Sequence, residues 1–217
     1  ELTAYFFKHT LNRKEMGGRG SASSGARATG GGISQSELDL VAGSPQYGSF
    51  ITGTNDSSVY SYGAAQGLSR PEIDLVHSYT NDLFQNLNDD IRAGKKGITD
   101  FVTNKLNQTL DKLPNTKGDV FRGISVNDPS GFANSLKNAG SFKFDSFTST
   151  TTSKSKAKEF TTKNKSVIFE IKSKTGKNVA KLSSQKDEDE VLFKAGTRFK
   201  YRGHRTENGI TYITLGE

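Results

Sequence analysis

Apolar residues between Arg70 and Leu113 recur at helical spacing. Ile73, Leu75, Val76, Tyr79, Leu83, Phe84, Leu87 and Ile91 form one stripe that runs to Gly94, and Pro71 with Glu72 supplies a helix start. The spacing predicts a second helix from Thr99 to about Leu113, with Phe101, Val102, Leu106, Leu110 and Leu113 on one face and Pro114 as its stop. Stripes of this kind face a core. After Gly118 the pattern changes to short strands, expected at Val120–Ile124, Phe142–Thr148, Ser166–Lys172, Asn178–Leu182, Glu190–Phe193, Arg198–Arg202 and Ile210–Leu215. Small helices are expected near Gly131–Asn138 and Lys154–Thr162, with Ala157 and Phe160 facing inward. Helices first and strands afterwards indicate an α+β fold, not alternating βαβ units.

The first 69 residues read differently. Gly17 to Gly32 is a Gly/Ser/Ala tract with no hydrophobic period, for which a flexible chain is the physical default. A phosphate-cradling loop needs a strand before it, a helix after it and a Lys-Ser/Thr ending, and none is visible. Ser49 to Gly63 reads as short strands or as loop. The expected organisation is a flexible Gly/Ser-rich segment over residues 1–69 and one folded domain over residues 70–217.

Composition then removes several kinds of chemistry. A chain of 217 residues can bury a core, although its hydrophobic share of 32% leaves part of it outside that core. Zero cysteines exclude a disulfide framework, a thiol nucleophile and a thiolate-bound metal. His9, His77 and His204 are scattered, so no metal site is expected. No run approaches the ~18 apolar residues of a membrane span, no signal-peptide pattern opens the chain, and Glu1 as first residue suits an excised fragment or processed product. The net charge of +7 favours an anionic partner, but about half of the 30 Lys and Arg residues are spread singly after position 150, as on a solvated surface. Clustered cations with interleaved aromatics, which single-stranded nucleic acid would require, are missing, so no nucleic-acid partner is expected.

Three places carry candidate chemistry. Arg122 sits in an otherwise apolar strand, Val-Phe-Arg-Gly-Ile. A buried guanidinium needs an anion, either an internal carboxylate or a bound phosphate that matches its fork of donors. Phe147-Thr148-Ser149-Thr150 ends an aromatic strand in hydroxyls, which serve as β-formers, helix caps or ligand contacts. Glu188-Asp189-Glu190 leads into Val191-Leu192-Phe193. If Glu188 begins that strand, a period of two puts Glu188 and Glu190 on one face, roughly 6–7 Å apart. Paired carboxyls at such a distance suit acid–base work or stabilisation of a sugar cation.

In this order, aromatic-Arg-Gly, then aromatic-x-Ser-Thr, then Glu-x-Glu before an apolar strand, residues 70–217 resemble the mono-ADP-ribosyltransferase toxins of the Arg–Ser–Glu class. Tyr79 to Arg92 is similar to the helix that precedes the first catalytic strand in bacterial toxins of the actin-modifying type. The Gly/Ser-rich leader and basic, cysteine-free character resemble the C-terminal effector domains of insecticidal toxin-complex proteins. The resemblance implies N-terminal helices followed by two packed, roughly perpendicular antiparallel sheets, and NAD as substrate without a metal. It implies that Arg122, with Gly123 beside it, holds an NAD phosphate. It implies further that Ser149 orients the catalytic glutamate, with Thr150 lining the same strand end, and that Glu190 stabilises the oxocarbenium-like transition state as nicotinamide leaves. Glu188 is the implied residue that orients or deprotonates the acceptor. Ser183 to Asp189 is the implied substrate-facing loop, and Phe160 is read as core packing before nicotinamide stacking. That loop lacks an aromatic residue, so the acceptor is arginine by default with threonine open. Further implications are a host protein target, with actin first, a monomeric enzyme, and secretion or translocation into host cytoplasm. The competing readings are an NAD glycohydrolase and, in a different class, a basic nucleic-acid-binding module.

Overall fold

The computed structural model describes residues 32–217, so His9 and all of the glycine tract but Gly32 lie outside the described residues. Between Ile33 and Ser69 the chain forms short helices joined by turns, not the flexible segment expected for this part of the leader. Ser34 opens α1 (Gln35–Ala42) with a capping box: its Oγ accepts from the Glu37 amide, and its own amide donates to Glu37 Oε2 at 2.8 Å. A 3₁₀ turn (Gly48–Phe50) follows, then α2 (Ser57–Ala65), capped by Asp56. Ser49–Gly63 is therefore neither strand nor loop throughout. Only Leu38 and Val41 of α1 and Val59 of α2 are buried apolar side chains, too few to display a period. Leu38, Val41, Tyr47, Val59 and Leu68 are nevertheless buried in the same core as the later helices.

The long apolar stripe becomes α3 (Arg70–Ser78), a π-helical turn (Tyr79–Leu83) and α4 (Phe84–Arg92). Leu75, Tyr79, Leu83 and Leu87 are spaced by four, which overshoots an α-helical turn by about 40° at each step. The wider turn takes up part of that drift, and all four side chains stay fully buried. Helix α5 (Ile98–Asp111) packs beside them through Val102, Leu106 and Leu110. Glu72 and Lys112 tie α3 to the end of α5 through a 2.7 Å ion pair.

The strands are β1 (Asn115–Ser125), β2 (Ser141–Lys143), β3 (Thr148–Thr151), β4 (Ser166–Asn178), β5 (Glu190–Phe193), β6 (Arg198–Glu207) and β7 (Ile210–Gly216). Helix α6 (Pro129–Ala139) precedes β2, and α7 (Lys154–Glu159) precedes β4. The α+β class holds. The strands expected as two antiparallel sheets are instead joined by hydrogen bonds into one network, ordered β1-β3-β5-β4-β7-β6-β2, in which β4 also pairs with β1. The β4–β7 pair is parallel. Thirteen residues make β4 long enough to pair with β1 along nearly its whole length, with β7 along its first half and with β5 at its end.

Two expected strands change at their ends. Phe142–Thr148 divides, because β2 pairs with β6 while β3 pairs with β1 and β5. Strand β4 ends at Asn178, and Val179–Leu182 is a turn closed by the Leu182 amide on the Val179 carbonyl at 2.8 Å. Val179 and Leu182 are apolar because they fill the helical core, not because they extend a sheet.

A second core forms where Val120, Ile124, Phe169, Phe193, Phe199 and Ile213 meet α6. Cutting the chain at residue 63 would strip Leu38, Val41, Tyr47 and Val59 from the first core. Each fully buried side chain of this kind stabilises by roughly 1.5–3 kcal/mol. A 64–217 fragment is expected to melt far below the 32–217 chain or to aggregate, which thermal circular dichroism checks.

An ionic cluster closes the β4 and β7 face beside α7. The Arg205 guanidinium forks onto Glu170 at 2.6 and 3.0 Å, and Lys154 reaches the same carboxylate at 2.7 Å. Both cations also lie over the Tyr212 ring. Arg205 above all, with Lys154, holds the Glu170 carboxyl down to about 2, against burial that opposes them. A depressed carboxyl stabilises the fold above its ordinary value near 4.5, and the contribution fades as pH falls toward 2. Melting curves should show wild type above Glu170→Gln at pH 7 and the gap closing between pH 4.5 and 2.

Candidate active site

Strands β1, β3 and β5 lie side by side, and their register places chemistry in one row. Phe121 is opposite Thr151, and Thr151 is opposite Glu190. Beside this row opens a cleft of about 440 Å³, a volume that includes space open to solvent. Phe121, Arg122 and Gly123 line it from β1, Ser149, Thr150 and Thr151 from β3, Phe160 from the end of α7, and Glu188 and Glu190 from β5 and the turn before it. The structure thus brings all six sequence-nominated residues, Arg122, Gly123, Ser149, Thr150, Glu188 and Glu190, to one cavity.

Their positions have separate causes. Arg122 Nη1 donates to the Ser149 carbonyl at 2.7 Å, which links β1 to the hydroxyl strand. Burial lowers the Arg122 guanidinium, and the Arg92 charge adds to that, while Glu190 acts in the opposite sense. It remains a cation at neutral pH. Thr150 Oγ1 donates to the Val191 carbonyl at 2.6 Å, so that hydroxyl pins β3 to β5. Glu190 is 2% exposed on the first residue of β5, sharing a side with Leu192 by the strand's period of two. Glu188 does not begin the strand. It closes a 3₁₀ turn (Lys186–Glu188), and Asp189 after it has a left-handed φ of 46°. The two carboxyls therefore meet the cleft from a turn and a strand, in place of one strand face.

Gly123 allows α7 to sit directly on β1. A Cβ at this position would lie 1.8 Å from the Ala157 carbonyl oxygen. That contact brings Phe160, the residue that ends α7, to the cleft. Phe160 is half-buried and lines the cavity, which corrects its assignment to core packing.

Two residues below the cleft escaped the sequence reading as chemistry. Tyr79, on the π turn, accepts a hydrogen bond from Asn88 Nδ2 at 2.9 Å. Asn88 Oδ1 in turn accepts from the Phe147 amide at 3.2 Å, just ahead of β3. Burial pushes the Tyr79 phenol well above its ordinary range and Glu190 adds to that, while Asn88, Arg122 and Ser149 act in the opposite sense. The phenol is thus a neutral group between the helices and the site. Tyr79 was legible only as one member of an apolar stripe, although a polar Asn nine residues later inside a buried helix was an available signal. His77 binds the Leu182 carbonyl and His204 pairs with Tyr201, so neither faces the cleft chemistry. Among the described residues no group of three His, Asp or Glu side chains is arranged to hold a metal ion.

The lining combines one guanidinium, three hydroxyls, two aromatic rings and two carboxylates. That set fits a ligand carrying phosphate at one end and a cationic aromatic group at the other, which is the chemistry of NAD.

The family model described as NAD:arginine ADP-ribosyltransferase matches residues 64–217. The chain is 32% identical over 126 residues to Mav of Mycobacterium avium (strain 104), whose name gives an NAD(+)–arginine ADP-ribosyltransferase; the match covers 58% of this chain and 15% of that one. It is 27% identical over 154 residues to Tre1 of Serratia proteamaculans (strain 568), an NAD(+)–protein-arginine ADP-ribosyltransferase, over 69% of this chain and 32% of that one. The matched regions are thus under a third of those relatives' lengths. Among solved structures, the ADP-ribosyltransferase Vis of Vibrio splendidus superposes with a TM-score of 0.58 at 26% identity, over 85% of this chain and 86% of that one. The chain belongs to the NAD:arginine ADP-ribosyltransferase family.

Proposed function

We propose that the chain transfers ADP-ribose from NAD to an arginine side chain of a host protein. The observation that carries this reading is the convergence of Arg122, Ser149, Glu188 and Glu190 on one cleft. Arg122 holds a phosphate of NAD, supported by its cationic fork at the cleft wall, and Gly123 leaves the strand bare beside it. Ser149 orients Glu190, and Thr150 keeps β3 in register with β5. Glu190 stabilises the positive charge that develops on the ribose as the bond to nicotinamide breaks and its electron pair leaves with the base. An arginine guanidinium nitrogen then bonds the same ribose carbon, and Glu188 takes the proton it releases. Threonine is the second acceptor to test, because Ser183–Asp189 has no aromatic side chain to stack on a guanidinium.

Actin is the first target to test, since its acidic surface suits a protein of charge +7. The proposed enzyme works as a monomer in host cytoplasm after secretion or translocation, as a toxin effector does. Labelled NAD added to a eukaryotic lysate with the purified chain tests the reading. A discrete labelled band that is lost in Glu188→Gln and Glu190→Gln supports it, and mass spectrometry of that band identifies acceptor and target. Glu190-dependent nicotinamide release with no protein labelled in lysate or purified actin would move the function to NAD hydrolysis.

A further inference from the structure

The turn that carries Glu188 is held from outside by neighbouring loop residues of opposite charge. Lys186 forms an ion pair with Asp56, the residue that caps α2. Asp187 pairs with Lys156 on α7 at 3.2 Å, and Lys156 also reaches Glu159. Asp56 and Lys156 thus pull on consecutive residues from different elements. Closer to its base the loop is fixed by neutral contacts: the Ser184 amide donates to Thr80 Oγ1 at 3.3 Å, and Ser184 Oγ donates to the Thr80 carbonyl. On the far side the Thr152 amide donates to the Asp189 carbonyl at 3.3 Å.

Glu188 is the residue immediately after this tethered pair and shares its 3₁₀ turn. Glu190, by contrast, is held by strand pairing to Thr151 and by the Val179 amide on its carbonyl at 3.0 Å. The two carboxyls therefore have independent supports. One is anchored in the sheet, and the other is set by two ion pairs. Pairs this exposed contribute little to global stability and are screened by salt. Their effect is local, on the angle at which a short turn presents its last side chain.

We infer that Asp56 and Lys156 are positioning residues for Glu188, and that they set how NAD divides between transfer to an acceptor and hydrolysis. This rests on the transferase reading above. It also gives the segment ahead of the family match a part in the reaction, because Asp56 precedes residue 64.

The test uses the full chain with Asp56→Asn and Lys156→Gln combined, since Asn preserves the α2 cap while removing the charge. Two rates are measured: nicotinamide release without acceptor, and ADP-ribosylation of agmatine, a small guanidinium. The double variant is expected to keep its KM for NAD and its hydrolysis rate within about twofold. Its kcat/KM for agmatine should fall about tenfold, as a small misplacement of a catalytic group does. At about 0.5 M NaCl the wild type should approach the variant, because the pairs are screened. Exchanging charges in Lys156→Glu with Asp187→Lys should recover transfer relative to Lys156→Glu alone. Unchanged agmatine kinetics in the folded double variant would overturn the inference. So would a parallel loss of hydrolysis and transfer, or a charge exchange that restores nothing. A wild-type chain that folds but never cleaves NAD would instead overturn the transferase reading and this inference with it.

Discussion

Glu190→Gln is expected to fold normally and to lose NAD cleavage by about 10²–10³-fold, as removal of one preorganised electrostatic group does. The substitution keeps the shape of a side chain that is only 2% exposed, so packing against the β3 strand survives. On the proposed reading, what disappears is a negative charge on an almost fully buried side chain at the cleft. In such a setting a charge acts with less screening than in solution. The loss should appear in the rate of nicotinamide release at saturating NAD, with KM little changed, because the interaction strengthens only as positive charge develops. Stability should move little, since relief from burying a carboxylate offsets its lost attraction to Arg122. Glu188→Gln is the informative partner. It should retain NAD hydrolysis while losing acceptor labelling. Equal NAD cleavage by wild type and Glu190→Gln would remove this residue from the chemistry.

Gly123→Ala is expected to destabilise the fold by about 1–3 kcal/mol, in the range of overpacked cores. The new methyl group would sit 1.8 Å from the Ala157 carbonyl oxygen and 3.0 Å from Thr161 Cγ2. The first of these is backbone, so no rotamer change relieves it, and α7 must move away from β1. That motion carries Phe160 with it and alters the cleft, so KM for NAD should rise in the same variant. Gly43→Ala serves as the contrast. Its new Cβ meets only ordinary contact at 3.4 Å, at a helical φ of −82°. The urea midpoint should fall for Gly123→Ala and stay nearly constant for Gly43→Ala. Equal midpoints for the two would mean that α7 does not bear on β1 as closely as described.

The six residues that meet at the cleft are conspicuous in the sequence, because each sits where strand chemistry sets it apart from its neighbours. An arginine amid Val, Phe, Gly and Ile, hydroxyls ending an aromatic strand, and acids leading into Val-Leu-Phe are all local contrasts. Phe160, Tyr79 and Asn88 offered weaker contrasts. A phenylalanine ending a short amphipathic helix looks the same whether it meets a core or a cleft, and only the seating of α7 on Gly123 decides which. Tyr79 looks like any apolar stripe member until Asn88 and β3 surround its hydroxyl. The segment from Ile33 to Ser69 shows little sequence signal for a related reason. Its helices are eight and nine residues long, and their caps and few apolar side chains give no period that stands out from loop.

Local pattern along the chain was sufficient for the α+β class, the main helices, most strand positions and the identity of the six nominated cleft residues. These depend on interactions between near neighbours, where periodicity, caps and turn residues act directly. Tertiary structure alone decided that β4 bridges β1, β5 and β7, that Glu188 approaches from a turn while Glu190 approaches from a strand, and that Asp56 and Lys156 reach the turn before β5. Those features join residues as much as 130 positions apart. Their geometry follows from how preformed elements pack together, and a one-dimensional pattern holds no record of that distance.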